Sequence, residues 1–284
     1  ATAMGMKVED LQGKHISELG LNGPRGGVWL DQYLEALETR RPVNFEQASN
    51  VPGSNVWWQV TLTHLGSGPT GQARFSYVVQ DITQRKRDER TQIALYRISE
   101  AAQSEATLSS LFPKIHEIVG ELLPAKNFFV ALYDRSKDEL SFPYYVDEYD
   151  PPPPTHTLDS GTLAGRVVKL GQALLFTPET PNEGIYEEAG IVGTSSSHWL
   201  GVPLKTKSGT IGALVVQSYS GDVRYQETDK SLLEFVSGQV AAAIERKQAE
   251  QSLRLSESRL EEAQRLAHLG SWNWDGISRT LTWS

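Results

Sequence analysis

Residues 197–219 read SHWLGVPLKTKSGTIGALVVQSY, and this run decides the fold class. Its two halves alternate as strands around Lys207-Ser208-Gly209, a tripeptide suited to a hairpin turn. Working outward, NFFVALYD (127–134) and LSFPYYVD (140–147) read as two more strands joined by a turn at RSKDE. A helix around LFPKIHEIVGELL (111–123) precedes them. GTLAGRVVKLG (161–171) is a short helix, ALLF (173–176) a strand, and a long helix starts near QETDKSLLEF (226–235). Helices combined with a mostly antiparallel sheet make an α+β domain from Leu108 to Arg246. Its loop EYDPPPPTHTLDSG (148–161) must be extended, because four prolines in a row fit neither a helix nor a central strand.

A second, smaller α+β unit lies before it, over residues 1–84. Short helical pieces are followed by the helix VWLDQYLEALETRR (28–41), with Trp29, Tyr33, Leu34 and Leu37 close to one face and Pro42 stopping it. Three strands follow: VNFEQAS (43–49), VWWQVTLTHL (56–65) and ARFSYVVQDI (73–82). Val56, Trp58, Val60 and Leu62 share one face of the middle strand.

Charged helices leave both units. QRKRDE (84–89) recurs as ERKQAE (245–250), each time where a compact domain gives way to a polar rod. The first rod, residues 85–107, has a thin apolar seam of Leu95, Ile98 and Ala102. The second continues the last domain helix through 247–269. Leu232, Phe235, Gln239, Ala242, Arg246, Ala249, Leu253, Ser256, Leu260, Ala263 and Ala267 keep one unbroken a/d register along it. Gln239, Arg246 and Ser256 make this a weak seam, suited to shifting. A parallel homodimer through these helices is the expectation. The chain ends in two short strands around Asp275-Gly276, over residues 270–284.

Composition narrows the function classes. The 284 residues suffice for two ordinary domains, and 39 % hydrophobic with 22 % charged residues is typical of a folded soluble protein. A net charge of −8 argues against a nucleic-acid partner, which usually meets a basic face. No apolar run reaches the roughly 18–20 residues that span a bilayer, so no membrane contact and a cytoplasmic location are expected. The chain has no cysteine, which removes disulfides, thiolate metal sites and Cys nucleophiles.

Several motifs resemble chemistry without its context. Gly66-Ser67-Gly68-Pro69-Thr70-Gly71 matches G-x-G-x-x-G, yet a strand follows where a phosphate cradle needs a helix N-terminus; it reads as a hairpin loop. His116-Glu117 opens like a zinc-protease helix, but position 120 is Gly, so no metal is expected. Ser195-Ser196-Ser197-His198 lacks a nucleophile elbow, and no catalytic residue is expected. His268 lacks the neighbours of a phosphoacceptor. Asp147, Glu148 and Asp150 could bind a cation, against the plainer reading of a solvated rim. Trp199 reads as core or pocket wall.

VVQDITQRKRDE (78–89) resembles the C-terminal end of a PAS domain, whose last strand finishes in Asp-Ile-Thr and enters a signalling helix. ATAMGMKVEDLQGKHISELG (1–20) resembles the short helices of a PAS core without its first two strands. AQRLAHLGSWNWDGISRTLTWS (263–284) resembles those two strands of another PAS domain. The middle, NFFVALYD, LSFPYYVDEYDPPPP, SHWLGVPLK and GTIGALVVQSY, is similar to a bacterial sensory GAF domain. The resemblance implies α+β architecture throughout, with PAS-like and GAF-like antiparallel-sheet domains joined by coiled-coil signalling helices. It also implies a sensory array of the kind found upstream of a histidine kinase or diguanylate cyclase in the same polypeptide. No Gly-Gly-Asp/Glu-Glu-Phe signature, phosphoacceptor box or ATP lid is present, so the segment itself is expected not to be an enzyme.

The cofactor stays unknown on this reading, though the missing cysteine excludes a covalent bilin and a flavin–cysteinyl adduct. A haem ligand would have to be His15 or His64. A small-molecule ligand would sit between the GAF sheet and the loops carrying Tyr145, His198 and Trp199. A ligand-free dimerisation and spacer module is the alternative. The ragged ends raise one more expectation: ARFSYVVQDI has an unpaired edge, and residues 270–284 could complete that sheet in the same chain or in a neighbour.

Overall fold

The computed structural model of the chain describes residues 26–49, 56–179, 194–267 and 272–283. Expectations for residues 1–25 with His15, and for His268, lie outside the described residues, as do the side chains of Trp29 and Trp283. The chain divides into two compact units, with the boundary between Arg90 and Thr91.

In the first unit, helix α1 (Gly26–Thr39) packs on a three-stranded antiparallel sheet of β1 (Val43–Ala48), β2 (Trp57–Ser67) and β3 (Ala73–Asp81), in the order β1-β2-β3. Its core is small: Ala36, Val43 and Leu62, with Tyr33, Phe45 and Phe75 against them. Val60 and Leu62 are buried on one face of β2, as period-2 patterning demands. The stripe read on α1 is turned relative to the core. Ala36 is buried and Tyr33 half-buried, while Leu34 and Leu37 are exposed, because the helix meets the sheet through the small Ala36. The run Gly66 to Gly71 spans the end of β2 and the β2–β3 loop, with Gly66 and Gly71 at φ 98° and 84° and a Gly71 N–H to Gly68 C=O bond of 3.0 Å. The glycine run therefore closes a hairpin.

The passage from β3 into helix α2 (Thr83–Ser104) is fixed by the Asp-Ile-Thr triplet. Asp81 Oδ1 accepts the Thr83 N–H at 2.8 Å, which caps a helix start with a carboxylate. The Thr83 hydroxyl accepts the Trp57 N–H at 3.0 Å, and Ile82 N–H donates to Trp57 C=O at 2.9 Å. Ile82 is buried. Beyond the junction, Lys86 bridges Glu46 at 2.6 Å, and Lys86 and Arg90 lie over the Trp57 ring. No loop separates strand from helix, because the helix start is tied to the neighbouring strand.

The second unit is layered around a five-stranded antiparallel sheet of order β5-β4-β8-β7-β6. Its strands are β4 (Asn127–Asp134), β5 (Glu139–Val146), β6 (Leu174–Phe176), β7 (His198–Thr206) and β8 (Gly209–Ser218). Helices α3 (Leu108–Leu122) and α5 (Glu227–Leu266) cover one face, and the short α4 (Leu163–Leu170) lies against the other. Both faces of the central strands are buried, which explains their nearly continuous apolar runs. Phe128, Val130, Leu200, Val202, Leu214 and Val216 join the α3–α5 core, while Phe129, Ala131, Trp199, Ala213 and Val215 face α4.

Two helices depart from the seams read in the sequence. On α2, Ile98 and Ala102 are buried with Ala94 and Ala101 in the α3–α5 core, so those residues are not free to pair with a second chain. An apolar stripe marks a face that is covered, not what covers it. On α5, the core takes Leu233, Val236, Val240, Ala241, Ala243 and Ile244. Of the a/d residues, Leu232 packs against that core and Gln239 is half-buried, while Phe235 is 58 % exposed and Ala242, Arg246, Ala249, Leu253, Ser256, Leu260 and Ala263 are exposed. Strands β9 (Trp272–Asp275) and β10 (Thr280–Trp283) pair with each other as a separate hairpin, and β3 is an edge strand of its own sheet. Among the described residues no helix is long and apolar enough to cross a membrane.

Candidate functional site

Of the three side chains named as pocket candidates, two share one face of the sheet and one does not. Trp199 and Tyr145 belong to the α4 side of the sheet, where Phe129, Phe176, Val167 and Val215 surround them. Trp199 is only 3 % exposed and lies 5.9 Å, centroid to centroid, from Phe176. Its indole lies along β7 over Gly201, two residues on and on the same face. A side chain at 201 would put Cβ 2.6 Å from Cζ3 of the ring, so the glycine leaves the space that the indole fills. Tyr145 stacks on Phe129 at 5.1 Å, and burial, followed by the charges of Asp147 and Asp150, pushes its hydroxyl up to about 12.

His198 precedes Trp199, so strand alternation turns it to the opposite face, the one shared by Leu200 and Val202. It is 3 % exposed, with Nδ1 3.3 Å from the Ser197 hydroxyl and Nε2 without a hydrogen-bond partner among the described residues. The Ser197 hydroxyl is within 2.9 Å of Ser218 C=O and 3.2 Å of Ser220 C=O, so its one proton is committed to a carbonyl. Serine and histidine are adjacent in sequence without forming a nucleophile–base pair of the kind a hydrolase needs. His116 Nε2 donates to Ala125 C=O at 2.6 Å, its Nδ1 bonds the Tyr144 hydroxyl at 2.9 Å, and the ring stacks on Phe128. That is a positioned core histidine. His64 sits on β2 beside Phe75, with Nε2 buried and without a hydrogen-bond partner among the described residues.

The carboxylates expected at a solvated rim are half-buried or exposed, and they hold a hydrogen-bond network. Asp147 accepts the N–H groups of Tyr149 at 2.9 Å and Asp150 at 3.0 Å, Gln217 Nε2 at 2.6 Å, and the Tyr219 hydroxyl at 3.0 Å. Asp150 accepts the Thr194 N–H at 2.7 Å and its hydroxyl at 3.0 Å, and reaches Tyr219 at 3.3 Å. Glu148 accepts from Lys126 and, at 3.3 Å, from Asn127 Nδ2. These carboxylates hold the proline loop to the end of β8 by charge-assisted bonds. Burial, then the bond to Asp147 and the charges of Asp147 and Asp150, raises the Tyr219 hydroxyl far above its ordinary value. Among the described residues no group of three His, Cys, Asp or Glu side chains could hold a metal ion. Nothing in the sequence joins Asp147 to Tyr219, 72 residues later; only the β4–β5 and β4–β8 pairings bring them together.

Comparison with known proteins agrees with this architecture. Residues 105–245 match the model of the GAF domain family. No curated protein matches the chain. The GAF domain of an Acinetobacter phosphoenolpyruvate-protein phosphotransferase is similar at 19 % identity and TM-score 0.46, over 57 % of this chain and 97 % of that one. A segment of a methyl-accepting chemotaxis protein is similar at 19 % identity and TM-score 0.41, over 55 % and 98 %. The free methionine-R-sulfoxide reductase of Neisseria meningitidis, bound to its substrate, is similar at 17 % identity and TM-score 0.45, over 56 % and 91 %. The segment 105–245, with its five-stranded antiparallel sheet between helical layers, is a GAF domain.

Proposed function

We propose that this chain is a non-catalytic sensory module in which the GAF domain responds to a small ligand or partner and passes the change along α5. The reading extends to PAS-like pieces at residues 1–84 and 270–284, and to an output domain such as a histidine kinase or diguanylate cyclase in the same polypeptide. The tie between Asp81, Thr83 and Trp57 supports a strand wired directly to a signalling helix.

One observation carries the proposal. On α5 the a/d residues Phe235, Ala242, Arg246, Ala249, Leu253, Ser256, Leu260 and Ala263 are exposed, with Gln239 half-buried among them and Leu232 packed on the core. Such a row fits a second copy of the same helix, in parallel. Burying a leucine is worth about 1.5–3 kcal/mol, and Leu253 and Leu260 are 61 % and 60 % exposed in the single chain. Arg246 and Ser256 in the same row keep the pairing weak enough to shift register or rotate. Sedimentation of the purified chain should give a dimer, and Leu253→Glu with Leu260→Glu should give monomers. A dimer untouched by both substitutions counts against the proposal.

The enclosed Trp199 favours a second reading, a ligand-free dimerisation and spacer module. Mass spectrometry of small molecules released from the purified protein separates the two: a recurrent stoichiometric ligand supports the sensor, and none supports the spacer.

A further inference from the structure

A cleft of about 170 Å3 opens where β4 begins and β8 ends, away from the Trp199 cluster. Lys126, Asn127, Glu148, Tyr149, Tyr219 and Tyr225 form most of its wall. Tyr149 and Tyr219 meet edge to face, with centroids 4.6 Å apart at 70°, and Tyr149 is 63 % exposed. The other two hydroxyls are occupied: Tyr219 by Asp147, and Tyr225 by the Pro124 carbonyl at 2.8 Å. Tyr219 and Tyr225 therefore bring the cleft ring surface more than hydrogen-bonding capacity.

The charge balance points one way. Glu148 lines the cleft, and Asp147 and Asp150 stand behind Tyr219. The raised hydroxyls of Tyr145 and Tyr219 report the same negative field, after burial. Against these stands the Lys126 ammonium, paired with Glu148 through a side chain that is 76 % exposed. A pair so exposed is weak, and a competing cation can take the lysine's place. The volume also decides something. Sites for drug-sized ligands span roughly 300–1,000 Å3, so this one has room for a head group only.

We infer that this cleft binds a small organic cation, an alkylammonium or guanidinium head group, on the faces of Tyr149 and Tyr219 with Glu148 as its counter-ion. A cation over a phenol ring is drawn to the negative face of the π system, and the carboxylate adds a direct charge partner. The inference is independent of the helix seam on α5 and of any site at Trp199.

Calorimetric titration of the full chain with choline, with agmatine, and with 3,3-dimethylbutan-1-ol, the neutral isostere of choline, tests it. At least one cation should bind more tightly than the neutral isostere. Tyr149→Ala should weaken that binding about 2- to 30-fold, the range of one cation–π contact, while Tyr149→Phe leaves it unchanged. Glu148→Gln should weaken it as well, and Lys126→Met, which removes the competing ammonium from an exposed position, should tighten it. A trimethyllysine tripeptide separates sources: tighter binding than choline assigns the cation to a protein side chain, weaker binding to a free molecule. The inference is overturned if neither cation binds, if the neutral isostere binds as well as both cations, or if Tyr149→Ala, Glu148→Gln and Lys126→Met all titrate like the parent chain.

Discussion

Replacing Gly201 by alanine tests whether the Trp199 indole really lies flat along β7. A Cβ at 201 falls 2.6 Å from Cζ3 and 3.0 Å from Cζ2 of the ring, and nearer still to Cη2. Comfortable carbon–carbon contact needs about 3.5–4.0 Å. The ring has nowhere simple to go, since it is buried against Phe176 with Phe129 and Val215 in the same cluster. Overpacking of this kind costs about 1–3 kcal/mol, and pushing the indole off its rotamer about 0.5–1.5 kcal/mol more. Alanine returns about 0.5–1 kcal/mol through lower chain entropy, because the backbone at 201 is outside the left-handed region. The expected net loss is about 2 kcal/mol. Urea unfolding followed by far-UV circular dichroism measures it; fluorescence is less useful with seven tryptophans in the chain. The same substitution in a Trp199→Leu background should cost little, because the clashing atoms are gone, and the difference is the coupling energy. Equal costs in the two backgrounds would refute the placement of the ring over Gly201.

Two further outcomes are expected in the same domain. Tyr145 titrates near 10 when unfolded and is pushed up to about 12 by burial and by Asp147 and Asp150. Its contribution to stability is therefore complete below about pH 10 and is lost as pH rises towards about 12. Melting temperatures of Tyr145→Phe across that window should fall less steeply than those of the parent, and parallel curves would deny the shift. Ser237, buried on α5, donates to Pro203 C=O of β7 at 3.0 Å or to Glu234 C=O at 2.8 Å. Ser237→Ala should cost about 1 kcal/mol in the same urea assay, and no loss would mean the helix is not held to the strand there.

Much of the GAF sheet was legible because its signals are local. Lys207-Ser208-Gly209 sits between two alternating runs, and the structure turns there, with Gly209 at φ 121°. Pro203 in β7 was compatible with a strand for a reason that only the sheet reveals. The outer neighbour β6 pairs with Trp199 to Gly201 and stops, so 203 needs no N–H on that side. Grouping His198 with Trp199 overlooked a signal that was present, since consecutive strand residues point to opposite faces. What covers a stripe is a different kind of question. Ile98 and Ala102 on α2 carried the same pattern as Leu253 and Leu260 on α5, yet the first pair is buried in the domain and the second is exposed. Period alone records that a face is apolar. The Asp147–Tyr219 contact had no sequence signal at all, because neither residue is unusual until two strand pairings bring them together.

The cleft reaches the root of the helix that carries the exposed seam, and this bears on how strongly the two could be coupled. Tyr225 lines the cleft, sits in the core, and stands two positions before α5 begins at Glu227. A head group in the cleft thus acts at the root of the helix whose far end carries Leu253 and Leu260. A ligand shifts a two-state equilibrium only by its difference in affinity for the two states, and inverting a 1:99 population takes about 5.5 kcal/mol. Cation–π contacts to the two rings contribute at most about 4 kcal/mol together, and an exposed carboxylate partner at most about 1 more. Even if all of that distinguished the two states, it falls short of inversion. A module built as proposed would respond in a graded way, and only if an α5 pairing held its two arrangements within a few kcal/mol of each other. The polar residues at Arg246 and Ser256 have the physical character to do that, because each makes any one register of the seam less favourable than an all-leucine row would be.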